Sequence, residues 1–437
     1  MKWNLFRATL AATLATMVLA GAVYAVYFSG SALERAQRLG DYEIWNKCRS
    51  ELSRYLVFHP SDAQAHLLFA ESAIKDLMLD REQALKLALE HLARVPDASP
   101  QGAVARTKEA QILFVQFRSP SLAEVKFRRA LQLDSDNFEA WFGLWKLLTQ
   151  TERWHLAEDA VWNCYRLSRP EARLFVLREW YMTQFFPTTA NFSLDQAMGI
   201  VGDQDPNADL ADGLRYHAFA RSEPQSALGK VCYARWLYRN RLIDEAIDAL
   251  ATNAKETSFP TNDPFYLWTW IELLSLRGEL DEAKAAFAKW PDDHREGFEY
   301  WSSRATIMDE VEQNYEDAIP AYYQALSYWP GPIDWSLRSK LAACLARAGQ
   351  TAKTEQERIR VKELETLLTD ETFRRQREIL SRMDESLTGM EEIVEFYKSI
   401  QRPKEAESWE ESLQFAREAA KDPKRNSLDS ARGTAKS

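Results

Sequence analysis

The sequence predicts an all-α protein: a row of antiparallel helix pairs that follows one N-terminal membrane-spanning helix. Three observations support this. The 437 residues include only 15 Gly and 16 Pro, below the roughly 7% and 5% of an average chain, and a fold with many tight β-turns would need more of both. One alanine-centred helical pattern recurs along the chain. A run of uncharged residues stands near the N-terminus.

The uncharged run covers residues 8–28, ATLAATLATMVLAGAVYAVYF. As a helix rising about 1.5 Å per residue it reaches about 31 Å, the thickness of the hydrocarbon part of a bilayer. Lys2 and Arg7 precede it without an acidic residue, which favours a cytoplasmic N-terminus at residues 1–7. The sequence therefore predicts a single-pass membrane protein with its body outside the cytoplasm, in the periplasm if the source is bacterial.

Two other interpretations of this run remain open. The segments Ala20-Gly21-Ala22 and Val23-Tyr24-Ala25 offer small residues at the spacing of a signal-peptide cleavage site, and a simple buried helix is also compatible. The apolar region of a cleaved signal is usually about 7–15 residues long, whereas this run continues past both sites. An uncleaved anchor is the favoured interpretation.

The recurring pattern is an alanine that follows an acidic or polar residue and precedes a large apolar residue by four positions. Apolar residues at such spacing form one stripe on a helix. A second apolar-periodic segment precedes several of these alanines by about a dozen residues, which predicts helix pairs. The key alanines, spaced 34 to 49 residues apart, are Ala84, Ala123, Ala157, Ala197, Ala246, Ala283 and Ala318.

Helix starts and turns have their own signals. Gly278 and Gly349 fall between predicted helices, where a left-handed residue is easiest to place. The capping-box arrangement of a polar cap with Gln or Glu three positions later is predicted at Asp80, Ser121 and Ser193. Because a single helix pair cannot bury its apolar stripe, neighbouring helix pairs are expected to stack.

This pattern resembles the tetratricopeptide repeat (TPR), a unit of 34 residues, and Phe138 to Glu171 matches it best. The framework residues that match are Trp141, Leu144, Ala157 and Val161, whereas Trp145, Ile271 and Thr306 stand where the family usually has a small residue. The resemblance implies a TPR-like superhelical solenoid of antiparallel helix pairs.

We expect the following organisation of the chain. Residues 31–200 and 201–350 form two TPR-like blocks, and residues 351–418 form charged helices that cap the solenoid. Residues 388–416 resemble a repeat more loosely, through Ala406, and residues 419–437 are expected to be a disordered tail because they are small and polar.

Composition and motifs exclude several functions. Lys and Arg total 55 against 65 Asp and Glu, a net charge of −10, so nucleic acid is not an expected partner. The four cysteines and six histidines are scattered, and they are expected to be structural. The sequence holds no phosphate loop, HExxH motif, nucleophile elbow or EF-hand loop. No catalytic residue, metal ligand or cofactor is predicted.

The resemblance implies a groove lined by side chains of the first helices. Its mixture of aromatic and charged residues suits an extended or helical protein segment, so we expect a non-enzymatic scaffold that binds other proteins. If the family's groove positions carry over, they are Leu67, Glu71, Phe142, Lys146, Val231, Arg235, Tyr238, Arg239, Trp268 and Glu272.

Two alternative functions remain open at this point. A glycan or small-molecule binding module would have Phe142, Tyr238 and Trp268 open and close together. An RNA-processing helical-repeat scaffold is suggested by the aromatic-rich segment WNCYRLSRPEARLFVLREWY at 162–181, although the negative net charge weighs against it.

Overall fold

The computed structural model describes residues 32–185, 208–254, 260–382, 387 and 389–421, and every regular element within these ranges is helical. The first half contains α1 (32–41), α2 (Trp45–Phe58), α3 (Ala63–Lys75), α4 (Arg81–Ala93), α5 (Gly102–Val115), α6 (Pro120–Leu133), α7 (Phe138–Gln150), α8 (Trp154–Leu167) and α9 (Pro170–Phe185).

The second half continues with twelve described α-helices and three short segments of other helical types. The α-helices are α10 (Ala208–Ser222), α11 (Ala227–Arg239), α12 (Ile243–Ala254), α13 (Pro264–Arg277), α14 (Leu280–Phe287), α15 (Gly297–Thr306), α16 (Tyr315–Ser327), α17 (Trp335–Arg347), α18 (Thr351–Leu367), α19 (Asp370–Ser381), α20 (Met390–Ser399) and α21 (Pro403–Lys421). Asp292–His294 and Gly331–Ile333 are 3₁₀ turns, and Ile307–Val311 is a π-helical segment.

The described chain forms two compact units. Unit 1 runs to Phe117 and includes Leu122–Gly143, whereas unit 2 comprises Arg118–Ser121 and what is described from Leu144 onward. The core of unit 1 contains Leu52, Phe69 and Leu92. The predicted repeat blocks at 31–200 and 201–350 stay a prediction.

One type of turn recurs inside the helix pairs. A residue with positive φ stands in the turn, and the amide that follows it donates to a carbonyl five positions back in several pairs, as Arg153 does to Leu148, Leu242 to Leu237 and Arg402 to Tyr397. This hydrogen bond closes a Schellman-type helix end. The residues with positive φ in these turns are Glu43, Arg118, Glu152, Arg241, Gly278, Gln313, Gly349 and Gln401. The predictions for Gly278 and Gly349 are confirmed, and six further turns use a residue other than glycine.

The alanine pattern correctly located the second helices. The six key alanines that are described lie on α4, α6, α8, α12, α14 and α16. They are Ala84, Ala123, Ala157, Ala246, Ala283 and Ala318, and each is at most 1% exposed. Small side chains at these positions let the neighbouring helix approach closely. Ala197 lies outside the described residues.

The cap predictions gave mixed results. The carboxylate of Asp80 accepts a hydrogen bond from the Gln83 amide and caps α4. Ser121 is not a cap: it lies inside α6 behind Pro120, a residue well suited to the first helical position. The Ser121 amide donates instead to Glu223 Oε2 at 2.9 Å. Ser193 lies outside the described residues.

The C-terminal helices pack against a helix that precedes them by more than two hundred residues. In unit 2, α21 contacts α9, and Trp409, Tyr397 and Tyr181 share one fully buried cluster. Tyr397 Oη donates to Gln184 Oε1 at 2.7 Å. Helices α20 and α21 thus cover most of the segment from residue 389 to 416, with Ala406 buried on α21, and its resemblance to a repeat stays a prediction.

The tryptophans differ in burial. Trp141, Trp270 and Trp301 are each half-buried. The indole of Trp141, for example, donates to the Ser135 carbonyl. The tryptophans with almost no exposed surface are Trp145, Trp180, Trp329 and Trp409.

The membrane-spanning segment predicted at 8–28 lies outside the described residues. Within the part of the chain that the structure describes, no helix has the length and apolar character needed to cross a bilayer. The tail predicted to be disordered at 419–437 also falls mostly outside the description, although residues 419–421 complete α21.

Candidate functional site

A cavity of about 180 Å³ lies within unit 2 and is called here the Arg235 cavity. Its walls come from α11, α13, α15 and α17, which are the first helices of four successive pairs, together with the start of α8 and the turn before it. The sequence resemblance implied a groove lined by first helices, and most of the residues that line this cavity lie on first helices.

Arg235, on α11, joins three elements of the cavity. Its Nε lies 3.1 Å from Glu152 Oε2, and its Nη1 lies 3.1 Å from Glu272 Oε2 on α13. The guanidinium carbon lies 3.7 Å from the ring centroid of Trp268, within the range of a cation–π contact. A planar guanidinium can meet two carboxylates and one ring face together.

Glu152 forms the base of this arrangement. It is the left-handed residue of the turn between α7 and α8, and its side chain is only 1% exposed. Its second carboxylate oxygen accepts a hydrogen bond from Arg239, one helical turn beyond Arg235. Two guanidinium groups thus neutralise one buried carboxylate, as burial of a charge requires.

Trp268 and Phe298 form the apolar wall. Their rings meet edge to face, with centroids 5.8 Å apart and an interplanar angle of 86°, an arrangement that aromatic pairs favour. The start of α13 is fixed by Asp263, whose carboxylate accepts a hydrogen bond from the Tyr266 amide, and by Pro264 at the first helical position. The position of Trp268 is therefore set by local sequence as well as by packing.

A contact between a histidine and a glutamate forms another part of the wall. His155 Nδ1, on the first turn of α8, lies 3.0 Å from Glu299 Oε1 on α15. Both side chains are largely buried, so this contact joins α8 to α15 across the cavity.

Asp334 caps α17 at the edge of the cavity, and its carboxylate accepts a hydrogen bond from the Leu337 amide at 2.8 Å. Burial raises the pKa of Asp334 above its ordinary value, and the negative charge of Glu272 adds to the rise, although backbone hydrogen bonds and Lys340 oppose it. Lys340 itself is bound to Glu310 at 3.1 Å.

Three polar groups at the cavity wall lack a hydrogen-bond partner. They are Nε1 of Trp154, Oγ of Ser275 and Oγ of Ser303. Ser303 is only 2% exposed. Buried polar groups in folded proteins are nearly always paired, so these three atoms are exceptions among the residues that line the cavity.

The ten predicted groove residues fall into three groups: residues at the cavity, buried residues of unit 2, and residues of unit 1. Arg235, Trp268 and Glu272 line the cavity. Tyr238 and Arg239 support it: Arg239 binds Glu152, and burial together with Glu272 raises the pKa of Tyr238 to about 12.

Two of the ten are buried in unit 2 and do not line the cavity. Val231 is fully buried. Lys146 is also buried, and its Nζ lies 2.7 Å from Glu179 Oε2. Both side chains turn towards neighbouring helices in unit 2 rather than towards solvent.

The remaining three lie in unit 1. Leu67 packs beside a buried apolar cluster, Glu71 pairs with Lys75 on its own helix at 2.7 Å, and Phe142 stacks on Phe138. No ligand contact tests any of the ten, so their role in binding stays a prediction.

Sequence reasoning missed four polar residues of the cavity wall. Glu152, His155, Glu299 and Asp334 stand in turns or in the first turn of a helix, where acidic residues and caps are common for structural reasons. The one available signal was their adjacency to predicted first helices.

The cysteines and histidines give no sign of a metal centre. All four cysteines are buried and free, and burial raises the pKa of Cys164 and Cys344 to about 12. Among the residues that the structure describes, no three of His, Cys, Asp and Glu are grouped so as to hold a metal ion.

Comparison with known proteins gives remote likenesses. No protein-family model matches the chain, and no curated protein matches it. A solved tetratricopeptide repeat protein from Parabacteroides merdae is 13% identical with a TM-score of 0.27, and the match covers 73% of this chain and 99% of that one.

Two further solved structures give similar values. The APC/C hetero-tetramer Cut9-Hcn1 is 12% identical with a TM-score of 0.34, covering 88% of this chain and 73% of that one. The P58(IPK) TPR domain is 13% identical with a TM-score of 0.25, covering 89% and 99%. Likenesses at this level carry no conclusion about function. The described part of the chain is an all-α fold of successive helix pairs.

Proposed function

We propose that this protein is a non-enzymatic scaffold, anchored in a membrane by residues 8–28, that binds segments of other proteins outside the cytoplasm. The Arg235 cavity is the proposed docking site. The observation that carries the proposal is a polar cavity on the first helices of successive pairs, with unpartnered groups at Trp154, Ser275 and Ser303.

The size of the cavity suits one anchor side chain of a partner. At about 180 Å³ it is slightly larger than a cavity of ~150 Å³ that holds benzene. It is smaller than the ~300–1,000 Å³ of sites for drug-sized ligands. Binding through a single buried anchor, surrounded by weaker contacts, is typical of protein interfaces.

Anchoring would strengthen such binding. Confinement to a membrane surface raises the local concentration of scaffold and partner, so contacts that are weak individually can be sufficient.

The structural observations do not favour the two alternatives. For a glycan module, an open aromatic platform is needed, but Trp268 is 9% exposed. For an RNA scaffold, the aromatic residues of segment 162–181 should be accessible, yet Trp180 and Tyr181 are fully buried in contact with the C-terminal helices.

A peptide array probed with the full-length protein in detergent tests the docking site. Glu272→Ala should weaken binding of the selected peptides at least tenfold. Glu279→Ala is the matched control, because its side chain is 33% exposed against 32% for Glu272 and it is also paired with an arginine. Equal binding by both variants would contradict the proposal.

Reporter fusions test the topology. A C-terminal reporter that is active only outside the cytoplasm should give signal, and a cytoplasmic reporter at the same place should remain silent. The reverse pair of results contradicts an extracytoplasmic body.

A further inference from the structure

We propose that the Arg235 cavity binds the positively charged side chain of a lysine or arginine in the partner polypeptide. This inference rests on the proposed function and names the chemistry of the anchor residue. It depends on the charge balance of the cavity, on one carboxylate without a cation, and on the unpartnered groups at the wall.

The cavity wall holds more acidic than basic groups. The carboxylates are Glu152, Glu272, Glu299 and Asp334, and the basic groups are Arg235, Lys340 and His155. Each basic group is already engaged: Arg235 with Glu152 and Glu272, Lys340 with Glu310, and His155 with Glu299. No strongly basic group is left to receive an anionic ligand. Arg239 also binds Glu152, so the acidic charge that remains is at Glu299, which contacts a histidine, and at Asp334.

Asp334 is the carboxylate at which this excess is concentrated. Among the described residues, it makes no ion pair within 4 Å, and its charge interacts favourably with amides at the start of α17 and, at longer range, with Lys340. A carboxylate at a helix N-terminus normally has a lowered pKa, yet burial and the neighbouring Glu272 raise this one. An ammonium or guanidinium group beside Asp334 would remove the repulsion from Glu272.

The hydroxyl groups at the wall fit the same ligand. Ser303 is more than nine-tenths buried, and its Oγ, like that of Ser275, has no partner. A hydroxyl can accept a hydrogen bond after a rotation about χ1, so both serines can receive N–H groups of a cation. Trp154 Nε1 only donates and is itself buried, so it is not part of the proposed contact with the cation.

The apolar wall suits the stem of such a side chain. Lysine and arginine carry an aliphatic chain that packs on apolar surface while the charge stays at the tip. Trp268, Phe298 and Leu337 provide that surface next to the acidic groups. A neutral side chain of the same length would gain this packing but leave Asp334 without a cation.

Alanine heptapeptides with one central residue, either lysine, arginine, norleucine or glutamate, test the proposal on the full-length protein in detergent. Calorimetry or the fluorescence of the cavity tryptophans reports binding. We expect the lysine and arginine peptides to bind at least tenfold more tightly than norleucine, and glutamate more weakly still. The preference should diminish as salt concentration rises.

Asp334→Asn is the decisive variant, because asparagine caps a helix as well as aspartate does but carries no charge. It should reduce the affinity for the lysine peptide about tenfold, leave norleucine binding unchanged and retain the thermal melting curve. Asp292→Asn, at an exposed acid on the 3₁₀ turn, is the matched control and should change none of these.

Each other outcome overturns the inference in a recognisable way. If norleucine or glutamate peptides bind as tightly as lysine, the cavity is a docking site without preference for a cation, and the proposed function stands. If putrescine binds as tightly as the lysine peptide, the ligand is a small amine instead. If no peptide binds and the array is also blank, the proposed function fails as well.

Discussion

The guanidinium of Arg235 lies flat enough against the indole of Trp268 to bring its central carbon 3.7 Å from the ring centroid. The same group bridges Glu152, in the turn before α8, and Glu272, on α13. One side chain therefore fixes the relative positions of three elements in unit 2. Its contacts shape the cavity wall that we propose as a docking site.

Replacement of Arg235 by methionine should destabilise the protein by about 2–3 kcal/mol, because two carboxylates lose a charged hydrogen-bond donor in a largely buried setting. Urea unfolding followed by tryptophan fluorescence measures this. Arg277→Met is the control: Arg277 is 42% exposed, and it pairs with Glu279 at the surface, so its loss should cost under about 1 kcal/mol. Similar losses for the two variants would contradict the bridging role.

The buried pair Lys146–Glu179 predicts strong non-additivity. Lys146→Met or Glu179→Leu alone should cost about 3–5 kcal/mol, because each leaves one buried charge without this partner, whereas the double variant should lie much closer to the wild type. A double-mutant cycle of unfolding free energies measures the coupling. Lys398→Met, which removes an exposed ion pair, should cost less than about 1 kcal/mol. Additive losses at 146 and 179 would count against a buried pair.

His91 should make the stability of unit 1 depend on pH. Burial, together with His66 and Arg94, lowers the pKa of His91 from 6.5 to about 4, and its Nδ1 lies 2.9 Å from that of His66. Between pH 6.5 and about pH 4, His91 binds a proton more readily in the unfolded chain than in the folded one. The free energy of unfolding therefore decreases as pH falls. The contribution of neutral His91 to the free energy of unfolding is fully present above pH 6.5, and about 3 kcal/mol of it is lost by pH 4.

Urea midpoints of the wild type and His91→Gln, measured between pH 7.5 and 4.5, test this prediction. The variant should show a smaller decrease with acidification. His294→Gln, at an exposed histidine, should behave as the wild type does. An identical pH profile for His91→Gln would show that another group is responsible.

Trp409 should be essential to the contact between the C-terminal helices and α9. It is fully buried in the cluster that contains Tyr181 and Tyr397, so Trp409→Ala should cost about 3–5 kcal/mol. Trp335→Ala is the matched control, since Trp335 is 45% exposed and should cost about 1 kcal/mol or less. Equal stability of the two variants, by thermal or urea unfolding, would argue that α21 is not docked on α9.

The left-handed turns offer stabilising substitutions. Arg241 and Gln401 are exposed and have φ of 63° and 60°, a conformation that costs a residue with a Cβ about 1–2 kcal/mol. Arg241→Gly and Gln401→Gly should each raise stability by about 0.5–1 kcal/mol, because relief of strain exceeds the added entropy of the unfolded chain.

The reverse change at a native glycine is the control for this prediction. Gly349→Ala should destabilise, although a Cβ there would meet no atom within 4 Å, because only the backbone conformation opposes it. A lower melting temperature for Arg241→Gly would contradict the prediction. It would mean that contacts of the arginine side chain stabilise the fold by more than the left-handed backbone conformation destabilises it.

Local patterns were sufficient for the repeat. The second helices could be predicted from alanines such as Ala157 and Ala283, because a helix that packs closely needs a small residue at a fixed position of its apolar stripe. Gly278 and Gly349 marked two turns for the same kind of local reason. The turns at Glu152 and Arg241 were not predictable, because a glutamate or an arginine carries no signal for positive φ.

The sequence by itself determined that the chain is helical, that its helices come in pairs, and which face of each second helix is buried, since these depend on residues only a few positions apart. Tertiary structure decided that α21 returns to α9 and that Glu152, Arg235 and Glu272 meet at one cavity. Those contacts join residues tens to hundreds of positions apart, and their geometry depends on how successive pairs stack. No local periodicity encodes that stacking.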